Sequence, residues 1–347
     1  MGHPFRVREI ASQAGLSEAT VDRVLNGRNG VRESTAGQVR RAISELQRQE
    51  SQLQLGGRTF ILDVVMQAPE RFSSAVRSAL ETVLPTLRPA VVRARFDFRE
   101  SGPADDIVAA LDRVGGRRTH GVLLKAPDVP EVADAVARLT AKGIPVVTLV
   151  TDLPSSRRAA YVGVDNRAAG ATAAYLIQQW LGDRPGSVLV TLSSNNFRGE
   201  EEREMGFRAQ MRASEPARRL VEITETDGID RTMRALVRRA LRRHPDVRAV
   251  YSIGGGNQAT LDVFAELDRP CAVFIAHDLD EDNTRLLREG RVSAVLHHDL
   301  QQDMRRAGQL VLQARGVLPG APHSWPSTIQ VVTPHNAPAW RGRGDDV

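Results

Sequence analysis

Two short runs in the sequence combine side chains that could bind a metal ion or a phosphate. His297, His298 and Asp299 are consecutive, and imidazole and carboxylate groups serve as zinc ligands and as acid–base catalysts. Consecutive residues of a strand point to opposite faces, however, and no further clustered ligands accompany this run. We therefore predict no metal site.

The second run is rich in glycine and comprises residues 254–257. It follows a predicted strand and precedes a predicted helix, which is the position of a phosphate-binding loop. It lacks the Lys-Ser/Thr pair of a P-loop and the glycine spacing of a dinucleotide-binding loop. No nucleophile elbow occurs either, so we expect neither a cofactor nor an enzyme. We interpret the run as a cleft loop whose glycines let the backbone approach a ligand, with Asn257 as a contact.

The composition narrows the class of protein. The chain has 347 residues, enough for two or three domains, and a net charge of +5, which favours a polyanionic partner. Residues 1–58 hold nine arginines against six acids, so more than half of the excess charge lies there. Only Lys125 and Lys142 are lysines, and we interpret this arginine use first as the codon bias of a GC-rich genome and only second as phosphate recognition.

The cysteine content and hydropathy exclude other classes. The single cysteine, Cys271, excludes an intramolecular disulfide and a cysteine-cluster metal site. Its apolar neighbours predict a buried thiol on a strand. No stretch approaches 18 apolar residues, and no apolar segment follows a basic N-terminal start. We expect a soluble, cytoplasmic protein without membrane contact.

The first thirty residues predict two short helices joined by a tight turn. One face of the first helix is apolar, with Val7, Ile10, Ala11 and Ala14. Gly15 suits the chain reversal, and Ser17 is placed to cap the second helix. The outer side of that helix carries Glu18, Ala19, Asp22 and Arg23. A helix-turn-helix places such a face in the major groove of DNA.

The rest of the chain divides by pattern. A third amphipathic helix is predicted over 34–49, and residues 47–57 are a polar, glutamine-rich linker by composition. From residue 59, short apolar runs alternate with 10–15-residue helical patterns, which predicts parallel sheets built from βαβ units. About ten strands are too many for one sheet of usual size, so we predict two doubly wound sheets. Residues 339–347 predict a disordered tail.

Several segments together resemble a known family. The N-terminal motif is Ile10-Ala11…Ala14-Gly15-Leu16-Ser17…Ala19-Thr20-Val21…Arg23-Val24-Leu25-Asn26-Gly27, followed by Val31 and Thr35. The core adds Phe72, Gly143-Ile144-Pro145-Val146, Val162-Gly163-Val164-Asp165-Asn166 with Gly170, Glu202-Arg203-Glu204-Met205-Gly206-Phe207, and His277-Asp278. The chain resembles the lactose-repressor/galactose-repressor (LacI/GalR) family of bacterial transcription regulators over about residues 5–335. Its core is similar to the periplasmic ribose-binding type of sugar receptor.

The resemblance implies an α/β fold in two parts. A three-helix headpiece and hinge linker would occupy 1–58, and a two-lobed periplasmic-binding-protein-like core would occupy 59–338. The N-lobe would comprise about 59–160 plus 297–323. The C-lobe would comprise about 161–294 plus 324–338.

The resemblance also implies DNA-binding residues. Glu18, Ala19 and Arg23 occupy base-reading positions, and Ser17, Thr20 and Asn26 occupy phosphate-contacting positions. Arginine can donate two hydrogen bonds to guanine, whereas short polar side chains hold phosphates.

Two departures from the family pattern concern the DNA-binding part. Asp22 stands where the family usually has serine, so either Arg23 or Arg28 must compensate its charge or the carboxylate must turn away. The linker lacks the usual Tyr-x-Pro-Asn start. Leu55 is a candidate for the leucine that wedges into the minor groove, but an ordinary exposed linker leucine is the equal alternative.

The matching effector positions form a third set: Phe72, Asp152, Arg203, Asn257, Asp278 and His297. Carboxylates and an arginine suit a sugar or polyol, since carboxylates accept from hydroxyls and the guanidinium donates to oxygens. Four of them also have a structural explanation: core packing for Phe72, a turn for Asp152, ion pairs for Arg203 and a helix cap for Asp278. Gly228 replaces an aromatic residue of the sugar-receptor pattern, which leaves room for a bulkier or more charged ligand.

These expectations define a function. The chain is predicted to be a dimeric repressor of a pseudo-palindromic operator, controlled by a small carbohydrate or polyol bound between the lobes. A solute receptor with no DNA role would leave the headpiece unexplained, and an enzyme would lack any catalytic motif.

Overall fold

The computed structural model describes residues 5–28, 31–54, 58–88, 90–193, 197–226 and 230–338. Leu55, Gly228 and the predicted tail lie outside the described residues. The chain divides into two compact units, of which unit 1 comprises Met1–Phe60 with Pro85–Val92 and unit 2 comprises Ile61–Leu84 with Arg93–Val347.

Unit 1 contains three helices, α1 (Val7–Ala14), α2 (Glu18–Leu25) and α3 (Glu33–Gln54). Gly15 ends α1 with a φ of +65°, a conformation that glycine adopts without steric cost. Ser17 caps α2, because its hydroxyl accepts a hydrogen bond from the backbone N–H of Thr20 at 3.2 Å. The predicted turn and cap are therefore both present.

The three helices enclose a small apolar core. Its buried members are Ile10, Ala11, Val21, Val39 and Ala42. They lie on the faces that the 3.6-residue periodicity predicts. The helix α3 is longer than the predicted 34–49, since residues 50–54 contain no glycine or proline to end it. The first part of the predicted linker is thus helical.

The first sheet has five strands in the order β2-β1-β3-β4-β5. They are β1 (Thr59–Gln67), β2 (Val91–Arg99), β3 (Gly121–Lys125), β4 (Val146–Leu149) and β5 (Ala160–Val162). The pairs β1/β3, β3/β4 and β4/β5 are parallel. Helices α4 (Glu70–Val83), α5 (Ala104–Gly115) and α6 (Pro130–Ala141) connect these strands, with a 3₁₀ turn at Leu84–Thr86.

The second sheet has six strands in the order β11-β10-β9-β8-β6-β7. They are β6 (Ser187–Ser193), β7 (Leu220–Thr226), β8 (Val247–Ser252), β9 (Val273–His277), β10 (Ala294–His297) and β11 (Gln330–Val332). Only the β10/β11 pair is antiparallel among the described pairings. The helices of this part are α7 (Asn166–Leu181), α8 (Arg198–Ser214), α9 (Asp230–Arg243), α10 (Asn257–Glu266) and α11 (Glu281–Arg288).

The chain passes three times between the two sheets. It runs from β5 into α7, from β10 into α12 (Leu300–Ala314), and from α12 to β11. The helix α12 packs on α4 and on strands of the first sheet. At the crossings, the backbone N–H of Ser327 donates to the carbonyl of Gly163 at 2.8 Å. Neighbouring crossing segments are therefore hydrogen-bonded to each other.

Apolar layers cover both faces of the second sheet, as expected for a parallel sheet buried on two sides. On one side α7 and α8 cross at very short range. A Cβ on Gly170 would lie 1.9 Å from the carbonyl oxygen of Arg203, and one on Gly206 would lie 2.0 Å from that of Arg167. Glycine at both positions lets the two helix backbones touch, which fixes the start of α7 beside Arg203.

The two predicted sheets are present, but three of their strands, two of them short, were not predicted. They are β5, β7 and β11. β5 and β11 have three residues each, too few for a period to emerge. The strand prediction for Cys271 was wrong: this half-buried residue precedes β9, and burial raises the pKa of its thiol to about 12. None of the described helices is long and apolar enough to span a bilayer.

Candidate functional site

A cleft in unit 2 lies at the carboxyl ends of strands from both sheets. Lys125 ends β3, Thr151 follows β4, Gly254 follows β8, and Asp278 follows β9 at its rim. The open space among the lining side chains is about 640 Å³, including the solvent at its mouth. Proteins with α/β folds place small-molecule sites at this edge of the sheet.

Four of the six predicted effector residues line this cleft. They are Phe72, Arg203, Asn257 and Asp278. Asn257 starts α10, and its side-chain amide donates to Oδ1 of Asn283 at 2.6 Å. Its own Oδ1 is buried and has no partner among the described residues. Because a buried amide oxygen without a hydrogen bond is costly, this atom is suited to accept one from a ligand.

Backbone strain is concentrated at the same place. Three described residues other than glycine have a positive φ, namely Val150 (65°), Asp268 (51°) and Asp278 (63°). Two of them, Val150 and Asp278, line the cleft. For a β-branched residue this conformation is unusual, and such strain gathers at functional sites.

Asp152 lies outside the lining of this cleft. Its carboxylate forms an ion pair with Arg158, with Nη2 to Oδ2 at 2.5 Å, and accepts from the hydroxyl of Thr148 and the N–H of Leu153, each at 2.8 Å. These partners hold the loop after β4. The turn role that the sequence left open therefore agrees with this geometry.

His297 also lies outside the cleft lining. Its Nδ1 accepts from the backbone N–H of Leu279 at 3.2 Å. Burial, with the charge of His298 beside it, lowers the pKa of His297 to about 4. The ring is therefore neutral at physiological pH and stabilises the turn after β9.

The neighbouring His298, which the sequence analysis did not select, connects the cleft with the crossing segments. Its buried ring lies with Nδ1 at 2.5 Å from Oδ2 of Asp303 and with Nε2 at 3.6 Å from Oδ1 of Asp278. The second oxygen of Asp303 accepts from the hydroxyl of Ser327 at 2.5 Å. A chain of polar side chains thus runs from Asp278 to two of the three crossings.

The protonation states of Asp278 and His298 follow from the charged groups around them. Burial lowers the pKa of His298, but the hydrogen bond with Asp303 and the nearby carboxylate of Asp278 outweigh burial and raise it to about 9. Burial raises the pKa of Asp278, but His298 and Arg203 outweigh it and hold the pKa well below its usual range. At neutral pH, His298 is therefore a cation beside an ionised Asp278.

Two cations face the cleft, Lys125 from the end of β3 and Arg203 from helix α8. Arg203 on α8 is only 4% exposed, and its Nε donates to Oδ1 of Asn166 at 2.8 Å. Lys125 donates from Nζ to the carbonyl of Gln67 at 3.0 Å and lies 3.9 Å from the ring centroid of Phe197. Burial lowers the pKa of Lys125 to about 8, although Glu200 and Asp278 oppose the shift. Sequence reasoning missed Lys125, and its position at the end of a predicted strand was the available signal.

Two further acids line the cleft that sequence reasoning also missed. Glu200 accepts from the backbone N–H of Ser193 at 2.9 Å and from its hydroxyl at 2.6 Å. Asp280 pairs with Nε of Arg71 at 2.6 Å and caps α11. Across the part of the chain that the structure describes, no cluster of His, Cys, Asp and Glu could hold a metal ion.

In unit 1, the predicted DNA-contacting residues lie on or beside α2. All but one of those described are exposed, namely Ser17, Glu18, Ala19, Arg23, Asn26 and Arg28, whereas Thr20 is half-buried. Glu18, Ala19 and Arg23 are on one side of the helix, as the spacing predicts.

Asp22 on the same helix is neutralised within unit 1. Nη1 of Arg28 lies 3.4 Å from its Oδ2, and the side-chain amide of Asn26 donates to its Oδ1 at 2.8 Å. Of the two arginines that could compensate this acid, Arg28 does so.

Comparison with known proteins bears on both units. Residues 68–315 match the periplasmic binding protein domain, and residues 6–47 match the bacterial regulatory proteins of the lacI family. The chain belongs to the LacI family of bacterial regulatory proteins. In this LacI-family protein, the lacI match over 6–47 covers α1, α2 and most of α3, and the periplasmic-binding-protein match over 68–315 contains the whole cleft lining.

Solved structures share the fold of the core. The glucose-galactose binding protein GanP from Geobacillus stearothermophilus aligns with a TM-score of 0.72 at 21% identity, over 81% of this chain and 100% of that one. A protein from Bacteroides fragilis assigned as a LacI transcriptional regulator aligns with a TM-score of 0.72 at 18% identity, over 80% and 98% of the two chains. At these identities the likeness concerns the fold alone.

A relative in sequence is the Periplasmic protein TorT of Escherichia coli K12. It is 29% identical over 209 residues, which are 60% of this chain and 58% of that protein. The chain thus spans less than two thirds of the length of this relative.

Proposed function

We propose that this LacI-family protein is a transcription repressor whose affinity for operator DNA is controlled by a sugar-like or polyol effector. One observation carries the proposal: an exposed helix-turn-helix face and a polar cleft at strand ends occur in one chain. A solute receptor would need the cleft alone. A binding role, rather than catalysis, accounts for both.

The DNA-binding role rests on α2. We propose that Arg23 and Glu18 contact base edges and that Ser17, Thr20 and Asn26 hold phosphates. Because Arg28 is paired with Asp22, it offsets repulsion between that carboxylate and the DNA backbone. Leu55 remains our candidate for a minor-groove contact.

The effector role rests on the cleft. We propose that Asp278 and the free Oδ1 of Asn257 accept from ligand hydroxyls, that Arg203 donates, and that Phe72 packs against the ligand. Asp152 and His297, which we still propose as effector-site residues, act through the loops that they hold. GanP is named as a glucose-galactose binding protein, which supports a carbohydrate as the effector class.

Regulation requires that the effector bind one arrangement of the protein more tightly than another. We propose a homodimer, since two identical headpieces on a two-fold axis explain recognition of a pseudo-palindromic operator. A repressor acts where the chromosome is, so we place the protein in the bacterial cytoplasm.

The test is operator binding measured by fluorescence anisotropy with the promoter region of the protein's own gene. We expect salt-sensitive, sequence-specific binding that weakens by about 1–3 kcal/mol in Arg23→Ala, because a bidentate arginine–guanine contact is lost. The matched control is Arg242→Ala, which removes an exposed arginine from α9 and should bind as the wild type does. Binding that does not distinguish the promoter from random DNA would refute the proposed function.

A further inference from the structure

The charged side chains that line the cleft differ in how fully protein ion pairs and hydrogen bonds compensate their charge. Three are cations, Arg71, Lys125 and Arg203, and three are acids, Glu200, Asp278 and Asp280. A buried charge is tolerated when an opposite charge or several hydrogen bonds compensate it. The partners of each group therefore indicate which charge the ligand must supply.

Two of the three acids have a cationic partner, and the third accepts from neutral donors. Asp280 is paired with Arg71 and accepts the N–H of Asn283. Glu200 accepts hydrogen bonds from the backbone N–H and the hydroxyl of Ser193. Asp278 faces the charged ring of His298 at 3.6 Å. Glu200 is thus the one acid of the described cleft lining without a cation within 4.0 Å, and burial raises the pKa of Asp280 although Arg71 opposes the shift.

The cations differ. Arg71 forms an ion pair with Asp280, but neither Lys125 nor Arg203 has a carboxylate within 4.0 Å in the described parts of the chain. Arg203 uses only Nε, on the neutral amide oxygen of Asn166, so both of its terminal nitrogens remain without a described protein acceptor. The contacts of Lys125, a carbonyl and an aromatic ring, are also neutral. Glu200 and Asp278 act on Lys125 from beyond 4.0 Å, so no carboxylate of the described residues forms an ion pair with either cation.

Their environment makes this arrangement costly without a ligand. Arg203 is 4% exposed, and Lys125 is desolvated enough that its charged form is disfavoured. The charge of Arg203 also lowers the pKa of Lys125, since like charges repel. An anion placed between them would remove both costs at once.

We propose that the effector of this protein carries an anionic group, in the simplest case the carboxylate of a sugar acid, which binds between Lys125 and Arg203. A planar guanidinium matches a carboxylate with two parallel hydrogen bonds, and an ammonium adds a point charge. Asp278 and Asn257 then remain for the hydroxyl groups of the same molecule. This inference rests on the proposed function, because it assigns the chemical class of ligand to the same cleft.

The test compares acids with their neutral counterparts on the full-length protein at constant ionic strength. The pairs are D-glucuronate with D-glucose, D-galacturonate with D-galactose, and D-gluconate with D-glucitol, and glucose 6-phosphate represents phosphate esters. Thermal unfolding identifies binders, and titration calorimetry measures Kd. We expect at least one acid to bind about tenfold or more tightly than its neutral partner.

The variant Lys125→Met should remove most of that preference while the affinity for the neutral partner changes less than about threefold. The matched control is Lys142→Met, which changes the only other lysine, an exposed one that contacts a backbone carbonyl, and should keep the preference. Arg203→Lys and Arg203→Gln extend the series. If Arg203→Gln does not fold, the loss or retention of the acid preference in Lys125→Met still tests the inference.

The outcomes are distinct. Neutral partners that bind as tightly as the acids, the absence of any acid-dependent stabilisation, or a preference retained in Lys125→Met overturns the inference. Tighter binding of glucose 6-phosphate upholds the anion site and identifies its ligand group as phosphate. If a neutral sugar releases operator DNA, only the inference of an anionic effector is overturned. If the ligand-free protein shows no specific operator binding, the proposed function itself is refuted.

Discussion

Single residues of the cleft carry charges that their surroundings shift in opposite directions. Lys125 lies against a carbonyl and an aromatic ring, so burial disfavours its charge. His298 is even more buried, but it lies between two carboxylates, so its charge is favoured. The partner, rather than burial alone, therefore decides the protonation state of each residue.

This contrast predicts the stability of Lys125→Met. The folded pKa of about 8 lies below the usual lysine value of 10.5, so the cost of charging this lysine in the folded chain grows as pH falls through 10.5 and is complete below about pH 8. Replacement by methionine removes that cost. We expect the free energy of unfolding of the ligand-free protein at pH 7 to rise by about 1–3 kcal/mol, as measured by urea denaturation. Lys142→Met should leave it unchanged, and a destabilised Lys125→Met would contradict the assignment.

His298 predicts a pH dependence of the opposite sign. Its folded pKa of about 9 lies above the usual histidine value of 6.5, so its stabilising effect is complete below about pH 6.5 and is lost as pH rises through 9. We expect the stability difference between wild type and His298→Gln to shrink by about 2–3 kcal/mol over that interval. The control is His297→Gln: since the pKa of His297 is about 4, its difference from wild type should stay constant from pH 6.5 to 9.

At the scale of secondary structure elements, the crossing of α7 and α8 positions the buried arginine. Asn166 at the start of α7 accepts from Arg203, and its amide also donates to the carbonyl of the strained Val150 at 3.2 Å. The backbones of the two helices meet at Gly170, where a side chain has no room. The orientation of Arg203 toward the cleft thus depends on a contact between backbones.

We therefore expect Gly170→Ala to lower the free energy of unfolding by about 2–4 kcal/mol, because its Cβ would overlap the carbonyl of Arg203. Ligand binding should weaken as well, since Arg203 must move. Differential scanning calorimetry of the full chain gives the first effect and titration calorimetry the second. In Gly37→Ala, the new methyl group meets open space within α3, so the same substitution should leave the melting of unit 2 unchanged. A Gly170→Ala protein with wild-type stability would show that the crossing is looser than described.

On the scale of the whole molecule, the cleft and the crossings form one polar network in unit 2. Asp278 at the cleft reaches Asp303 at the start of α12 and Ser327 on the third crossing through His298. A ligand that binds Asp278 therefore acts on residues that link the two sheets. Differential affinity for two arrangements of those links is what allosteric control requires.

Local pattern predicted a large part of this fold. The helices of unit 1 followed from the spacing of Ile10, Ala11 and Val21 and from the turn at Gly15, which lie close together in the sequence. The alternation of strands and helices in unit 2 followed from apolar runs between turn residues. Phe72, Arg203, Asn257 and Asp278 were selected through a family resemblance, and the structure brings them together in one cleft.

The sequence by itself thus determined the order of elements, because periodicity and caps act between residues a few positions apart. Only the tertiary structure decided which charges meet. Asp152 is occupied by Arg158, whereas Lys125 and Arg203, which lie in elements of different sheets, share one cleft. Parallel sheets bring their carboxyl ends together over long distances in sequence, and no local pattern records which side chains then become neighbours. The unpaired cations of the cleft, and with them the class of effector that we propose, are a property of the packed molecule.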